Sequence, residues 1–348
     1  MDETVIEQSN DFVCRNCGNT LPTDSNENTT QLCESCRNQF LKLRIPLWVL
    51  ISAAVIFIFV MYQGITTLPK GIEYRKAVYQ AEKAYDDKHY AIALINFEKA
   101  ENLGFLDSEG DSHQFIAYVR NYEYDKAETI YDEQLVGTET SNDALYNDIQ
   151  SAVNELNDYY EISDTFDQLL NDSGDLSLDD LIARVEAYIK ISPDEYYAHS
   201  ILSDLYFEKG EYQKSINELN EVMRIKPSLS SVTNISLAGS YRQLGEFDKA
   251  YEALDQALDQ NKDDISAMCS YARTLIKEKK YQESLTYLEN INPLLTNDPY
   301  YTESLAMAYH FNGMSKERDL LVTQLQEVDQ YDTTFLLEVI NNQTDLYN

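Results

Sequence analysis

The sequence predicts an all-α protein in three parts: a small four-cysteine module, one transmembrane helix and a helical solenoid built from repeated units. Two Cys-x-x-Cys pairs lie within the first 36 residues, an uncharged apolar run follows them, and a 34-residue period runs through much of the remaining chain. We place the module at 1–44, the transmembrane helix at 45–65, repeats at 66–137 and at 177–348 with a C-terminal helix, and an irregular helical segment at 138–176.

The N-terminal cysteines predict a metal site. Two close pairs separated by fifteen residues can direct four thiolates at one tetrahedral Zn²⁺, and Gly18 suits the tight turn after the first pair. The segment at about 12–38 resembles the zinc-ribbon modules at the ends of many bacterial proteins. That resemblance implies one structural Zn²⁺ with no coordination position open for catalysis; the ligands would be Cys14, Cys17, Cys33 and Cys36. The alternative is two disulfides in an oxidising compartment.

The apolar run predicts a membrane anchor. No residue between Ile45 and Pro69 is charged, and as a helix the run 45–65 matches a hydrocarbon core about 30 Å thick. Trp48 and Tyr62 lie near the two expected interfaces with the lipid bilayer. A buried core helix is the alternative. A cleaved signal peptide is disfavoured because a long polar segment precedes the run.

The orientation of the anchor follows only from the cysteines, because basic residues flank both of its ends. Zinc-binding thiolates belong in the reducing cytoplasm, so we expect a single-pass protein of a bacterial cell membrane with a cytoplasmic N-terminus and an extracytoplasmic repeat domain. In the reversed topology, the repeats would be cytoplasmic and the cysteines would form disulfides outside.

The positions of the turns give the period of the repeats. The turns at Gly210, Gly245, Lys279 and Gly313 are separated by 35, 34 and 34 residues, and the turns at Lys88 and Tyr122 by 34. The segments resemble tetratricopeptide repeat (TPR) units, which implies small residues where two helices cross and an aromatic residue two positions after the turn. The small residues are Ala81, Ala238, Ala272 and Ala306 on first helices, and Ala93, Ala127, Ser215, Ala250 and Ser284 on second helices; the aromatic residues are Tyr90, Tyr124, Tyr212, Phe247 and Tyr281.

The resemblance to TPR units also implies a concave face lined by first helices, where a protein or peptide would bind. Matching the sequence to the TPR pattern places the partner-binding candidates at Tyr197, Phe207, Arg242, Arg273, Lys277 and Tyr300. The three basic residues would form a cluster that receives an acidic peptide or a C-terminal carboxylate. The alternative is that they are solvated or pair with nearby acids.

The histidines and the paired acids indicate structural roles rather than catalysis or metal binding. The four histidines lie in different repeats and have no metal-ligand spacing. The acid pairs Asp179-Asp180 and Asp263-Asp264 fall at predicted helix starts, where aspartate favours the N-terminal dipole, so we interpret them as caps rather than as an acid/base pair.

Charge and motifs narrow the function. The chain has 27 Lys and Arg against 60 Asp and Glu, a formal net charge of −33, so nucleic-acid binding by most of its surface is disfavoured. No phosphate-binding loop, nucleophile elbow or metalloprotease motif is present, so we expect no enzyme activity.

We predict a membrane-anchored scaffold that binds proteins or peptides. The alternative is a membrane sensor or regulator whose cytoplasmic zinc ribbon contacts nucleic acid or a cytoplasmic machine. The sequence does not determine the oligomeric state.

Overall fold

The computed structural model describes residues 13–21, 32–41, 46–138, 140–161, 176–328 and 331–341. The chain divides into two compact units, Met1–Pro69 and Lys70–Asn348. The predicted module and anchor belong to the first unit, and the repeats belong to the second.

The N-terminal unit is built around the two cysteine pairs. An isolated antiparallel bridge joins Val13 to Thr20 and closes the turn after the first pair. Gly18 adopts a φ of +73°, the left-handed conformation that the sequence predicted for it. The second pair lies at the start of helix α1, Glu34–Leu41.

Helix α2, Leu47–Asp86, contains the predicted anchor. It begins near the predicted start but continues past residue 65, because Pro69 is accommodated inside the helix. Among the described residues it alone is long and apolar enough to cross a membrane, with a mean hydropathy of 2.2 over its most apolar window, no part of which is buried. This criterion concerns length and composition only.

The second unit is a succession of antiparallel helix pairs, which makes it an all-helical solenoid over its described residues. Its helices after α2 are α3 Tyr90–Glu101, α4 Ser108–Arg120, α5 Tyr124–Ile130, α6 Asp143–Glu161, α7 Leu178–Ile189, α8 Tyr196–Glu208, α9 Tyr212–Ile225, α10 Ser230–Leu244, α11 Phe247–Gln260, α12 Ile265–Lys277, α13 Tyr281–Glu289, α14 Pro299–Phe311, α15 Ser315–Gln326 and α16 Thr334–Ile340. A π-helical turn, Tyr131–Leu135, extends α5, and helix α6 falls inside the segment that the sequence predicted to be irregular.

The predicted crossing residues are all buried. Ala81, Ala238, Ala272 and Ala306 are fully enclosed, as are the small residues that face them from the second helices. The Ser215 and Ser240 hydroxyls are hydrogen-bonded at 3.0 Å, and Ser284 Oγ donates to the Ala272 carbonyl at 2.9 Å. The small residues therefore permit close helix approach.

The turns share one conformation whether or not they contain glycine. Lys88, Tyr122 and Lys279 have φ values of 62°, 62° and 67°, close to the 79° of Gly210. Residues other than glycine rarely adopt this left-handed backbone conformation. Tertiary packing therefore imposes the turn geometry on these three residues.

A loop between α11 and α12 binds the first repeats directly. Asp263 Oδ2 accepts a hydrogen bond from the Ile92 amide at 3.0 Å, and its Oδ1 lies 2.7 Å from His89 Nδ1. Asn261 Nδ2 donates to the Arg120 carbonyl at 3.3 Å. Asp263 thus caps the N-terminus of α3, and Asn261 caps the C-terminus of α4, from more than 140 residues away. We call these contacts the clasp.

The clasp changes the interpretation of the Asp263-Asp264 pair. Asp264 caps its own helix by accepting from the Ala267 amide at 2.9 Å, as the sequence predicted. Asp263 caps a different helix instead. The other acid pair lies in the first turn of α7, at the helix start that the sequence predicted, although the N-cap itself is Ser177, which accepts from the Asp180 amide.

Candidate metal centre and binding cleft

The four predicted zinc ligands converge in the N-terminal unit. Their Sγ atoms all lie within 4.8 Å of one another, and Cys17 Sγ is 3.6 Å from Cys33 Sγ. A tetrahedral Zn²⁺ with Zn–S bonds of about 2.3 Å requires Sγ atoms about 3.8 Å apart, so a single ion fits this spacing. All four cysteines are free thiols in the structure, and a disulfide would require sulfur atoms about 2 Å apart. The four cysteines could therefore bind a metal ion.

Backbone groups and neighbouring sulfurs shift the pKa values of the thiols in the cysteine cluster. The Cys33 amide, 3.2 Å from Cys14 Sγ, lowers the pKa of Cys14 to about 6, and the amides of Cys17 and Asn16 add to the effect against some desolvation. The Asn19 backbone lowers the pKa of Cys17, but the sulfurs of Cys33, Cys36 and Cys14 outweigh it and raise that pKa to about 12. Four adjacent thiolates repel one another, so a cation in their centre would stabilise the ionised cluster.

Arg273 lies inside the repeats rather than on an open face. Its residue is 3% exposed, and its guanidinium forms an ion pair with Glu303 at 3.1 Å. The same group donates to Ser304 Oγ at 2.9 Å and lies 4.0 Å from the centroid of the Tyr300 ring. Tyr331 Oη also donates to Glu303, at 2.7 Å. Arg273 thus joins α12 to α14 through a buried polar network.

Arg242 is buried in the same manner. It is 4% exposed, and its Nη1 donates to the Ser270 side chain at 3.0 Å and to Thr274 Oγ1 at 3.3 Å. These contacts join α10 to α12. The predicted binding of an acidic ligand by Arg242 and Arg273 stays a prediction, and it would have to displace these internal contacts.

The other partner-binding candidates lie in different surroundings. Tyr300 is half-buried against Arg273, and Lys277 is half-buried near the end of α12. Phe207 packs edge-on against Tyr212, with ring centroids 5.3 Å apart. Tyr197 alone among the six lines the cleft described next.

A cleft of about 520 Å³ lies between the first repeats and the middle of the array. Five tyrosines line it, together with apolar side chains from α9 and α10. The lining residues are Tyr122, Tyr124, Glu155, Tyr159, Tyr196, Tyr197, Ser200, Val222, Leu229, Val232, Thr233, Ile235, Ser236 and Ser266. Tyr159 is 49% exposed and Val232 is 42% exposed, so a ligand could reach both. We call this space the tyrosine cleft.

The tyrosine cleft contains one charged lining residue, Glu155. Burial raises the pKa of this carboxyl group, whereas the ion pair with Arg120 opposes that rise. Burial, and then the negative charge of Glu155, raise the pKa of Tyr124 far above its ordinary value, so its phenol is neutral. The Tyr124 ring stacks on Tyr159 with centroids 4.3 Å apart.

Sequence reasoning missed most of the tyrosine cleft. It assigned Tyr124 to packing beneath a turn, and Glu155 and Tyr159 fell in the segment without a repeat pattern. The cleft brings together residues from six helices, so no short motif marks it. The excess of tyrosine in the composition was the one available signal.

Three of the four histidines bind carboxylates instead of forming a ligand set. His113 Nδ1 lies 2.6 Å from Glu82, His199 Nδ1 lies 2.6 Å from Glu218, and His89 belongs to the clasp. His310 lies 3.2 Å from Arg318. The cysteines are the one group of metal-ligating side chains that converge among the described residues.

Family comparisons match the middle of the array. Residues 196–229 match the family described as tetratricopeptide repeat. The chain carries TPR repeats. Residues 230–291 match the family described as anaphase-promoting complex, cyclosome, subunit 3. The TPR assignment therefore has its firmest support in α8 to α13.

A curated relative and several solved structures resemble part of the chain. A TPR repeat-containing protein of Methanocaldococcus jannaschii is 26% identical over 238 residues, which are 52% of this chain and 42% of the relative's length. A tetratricopeptide repeat protein from Parabacteroides merdae has a TM-score of 0.41 at 12% identity over 78% of this chain and 99% of its own. The MamA protein has a TM-score of 0.36 at 17% identity over 49% and 91%. The TPR2AB domain of yeast Sti1 with pHSP90 has a TM-score of 0.26 at 17% identity over 74% and 100%.

Proposed function

We propose that this protein is a non-enzymatic TPR scaffold, anchored in a membrane by the apolar part of α2, that binds a protein or peptide in its repeat domain. The tyrosine cleft is the observation that carries this proposal, because it combines accessible aromatic rings with hydroxyl groups. Rigid aromatic side chains give a large contact area at low cost in conformational entropy.

The anchor is supported by length, composition and exposure. The side chains from Leu47 to Met61 are mostly more than half exposed in the structure, and water would solvate such a row poorly. A bilayer would cover them, with Trp48 at one interface.

The cysteine cluster would hold one structural Zn²⁺. The four Sγ atoms form a closed donor set of the type that zinc prefers in structural sites. The thiolate form requires a reducing compartment, which supports a cytoplasmic N-terminus and an extracytoplasmic repeat domain.

Photocrosslinking from the tyrosine cleft tests the scaffold proposal. A photoreactive residue at Val232 of the full-length membrane protein should capture a cellular partner on illumination. The matched control is Leu320, which is 61% exposed on α15 and lies outside the cleft. Crosslinks from Val232 that are absent from Leu320 support the proposal. Equal crosslinking from both positions, or none from Val232, contradicts it.

A further inference from the structure

The tyrosine cleft carries an inference about the charge of the ligand, which rests on the function proposed above. The sequence predicted that Arg242, Arg273 and Lys277 would attract an acidic peptide. Two of these cations are directed into the repeats, where serine, threonine and glutamate side chains bind them. The accessible cleft presents aromatic rings instead, and its one carboxylate, Glu155, is 4% exposed and paired with Arg120.

The surroundings of the cleft favour a cation. Four of the 27 basic residues and seven of the 60 acidic residues lie in residues 1–45, so the rest of the chain holds 23 basic and 53 acidic residues. Its field therefore concentrates cationic ligands and repels acidic ones. Close to the cleft, Asp264 is 4% exposed behind Tyr122, whose pKa is raised first by burial and then by the charge of Asp264.

The array already binds its own cations on tyrosine rings. Lys226 Nζ lies 5.4 Å from the centroid of Tyr196, at the edge of the cleft, and Lys214 Nζ lies 4.9 Å from the centroid of Tyr206. The guanidinium of Arg273 lies 4.0 Å above Tyr300. Attraction between a cation and an aromatic face is therefore a recurrent contact in this protein. Tyr159 and Tyr197 offer further rings inside the cleft.

We infer that the tyrosine cleft binds an arginine or lysine side chain from an extended basic segment of a partner protein. The aliphatic part of that side chain packs against Val232 and Ile235, and its charged end lies against the rings of Tyr159 and Tyr197. Glu155 is buried at the wall of the cleft and paired with Arg120, so the aromatic rings and the negative field of the repeat domain supply most of the attraction.

Two labelled peptides test this inference on the full chain in detergent micelles. One has ten residues of alternating arginine and serine, and the other has glutamate in place of arginine. Fluorescence anisotropy at about 0.15 M salt, where the Debye length is about 8 Å, limits the contribution of the distant acidic surface. The arginine peptide should bind at least tenfold more tightly than the glutamate peptide.

Matched variants separate the cleft from the general negative charge. Tyr159→Leu and Tyr197→Leu keep the net charge and an apolar side chain but remove the ring, so the arginine peptide should bind about three- to tenfold more weakly. Tyr159→Phe keeps the ring and should bind as the unaltered protein does. Thermal unfolding of each variant checks that the repeats remain folded.

Leucine variants that bind the arginine peptide unchanged would overturn the inference, and so would a glutamate peptide that binds as tightly as the arginine peptide. Failure of both peptides to bind would overturn it as well. In each case the scaffold proposal survives if the photoreactive residue at Val232 still captures a partner, and both fail if it does not.

Discussion

The two ends of the chain keep their shape by different physical means. Around the N-terminal cysteines, only Cys14 and Cys36 are buried among the described residues of the module, so little apolar area is removed from water. The repeat unit encloses large side chains such as Phe97, Phe115, Leu254 and Met307 completely. We therefore expect the first region to fold around a bound ion, whereas the second folds through burial of its own side chains.

Two kinds of contact stabilise the repeat unit. Neighbouring helices pack through small residues at a fixed spacing, which is contact between positions close in sequence. The clasp joins positions 171 residues apart, between Ile92 and Asp263. A solenoid stabilised only by contacts between neighbouring repeats would lack this long-range contribution to its folding free energy. The clasp therefore makes the stability of each half of the array depend on the other half.

The largest expected effect is the loss of the metal. Cys33→Ser removes one of four ligands, so we expect bound zinc to fall from about one per chain to near zero and residues 13–21 and 32–41 to unfold, a loss on the order of 10 kcal/mol of metal-dependent folding free energy. Elemental analysis and limited proteolysis measure the two changes. Cys269→Ala is the control, because Cys269 is buried in α12 far along the chain and should leave zinc unchanged. Purified protein without metal and without free thiols among the first four cysteines would contradict the site.

Breaking the buried ion pair should have the next largest effect. Arg273→Ala leaves Glu303 buried without its guanidinium, so the free energy of unfolding should fall by about 3–5 kcal/mol. Urea unfolding followed by circular dichroism measures it. Arg224→Ala is the control, since Arg224 is 55% exposed in its ion pairs and should change stability by less than about 1 kcal/mol. Equal losses in the two variants would mean that Arg273 is solvated.

Removing the clasp should lower the free energy of unfolding by less than the loss of the buried ion pair does. Asp263→Ala deletes the distant cap of α3 and the partner of His89, so the free energy of unfolding should fall by about 2 kcal/mol. Amide hydrogen exchange should speed up at the start of α3, from Tyr90 to Ile92. The exposed neighbour Asp259 serves as the control, and Asp259→Ala should alter neither quantity. Unchanged exchange at Ile92 in Asp263→Ala would show that the clasp does not form in solution.

The smallest effect concerns pH. Burial, and then the charges of Glu101 and Asp107, raise the pKa of Asp111 to about 6. The folded state thus binds this proton more tightly than the unfolded state, and the resulting stability, present below pH 4, is lost as the pH rises through 6. Asp111 is half-buried, so the difference in unfolding free energy between pH 4 and pH 7 is about 1 kcal/mol.

Asp111→Asn removes that titration. Urea unfolding at pH 4 and pH 7 should show a smaller decline in the variant than in the unaltered protein. The exposed Asp132 provides the control, and Asp132→Asn should keep the full decline. A variant that declines as steeply as the unaltered protein would contradict the assignment to Asp111.

The sequence predicted the local features of the fold well. The repeat spacing located the turns, and the crossing residues Ala81 and Ala272 proved to be fully buried, because such contacts recur with the period of the chain. The convergence of the four cysteines was predictable for the same reason, since each pair forms its own tight turn. The left-handed turn at Lys279 was predictable from its position although its residue type argues against it.

The predictions were weakest where distant segments meet. The clasp and the tyrosine cleft each join the first repeats to helices far along the chain, and a repeat pattern contains no information about such contacts. Arg242 has the spacing of a groove residue, but the hydroxyl groups of Ser270 and Thr274, which draw it inside, lie on the next repeat. Whether a charged residue faces solvent or a neighbour therefore depends on both repeats together.

We propose that the metal module and the repeats lie on opposite sides of a membrane. Protease treatment of intact cells that express the full chain with a different tag at each end tests it most directly. We expect the C-terminal tag to be digested while the N-terminal tag survives until the membrane is permeabilised. Digestion of the N-terminal tag with survival of the C-terminal tag would contradict it.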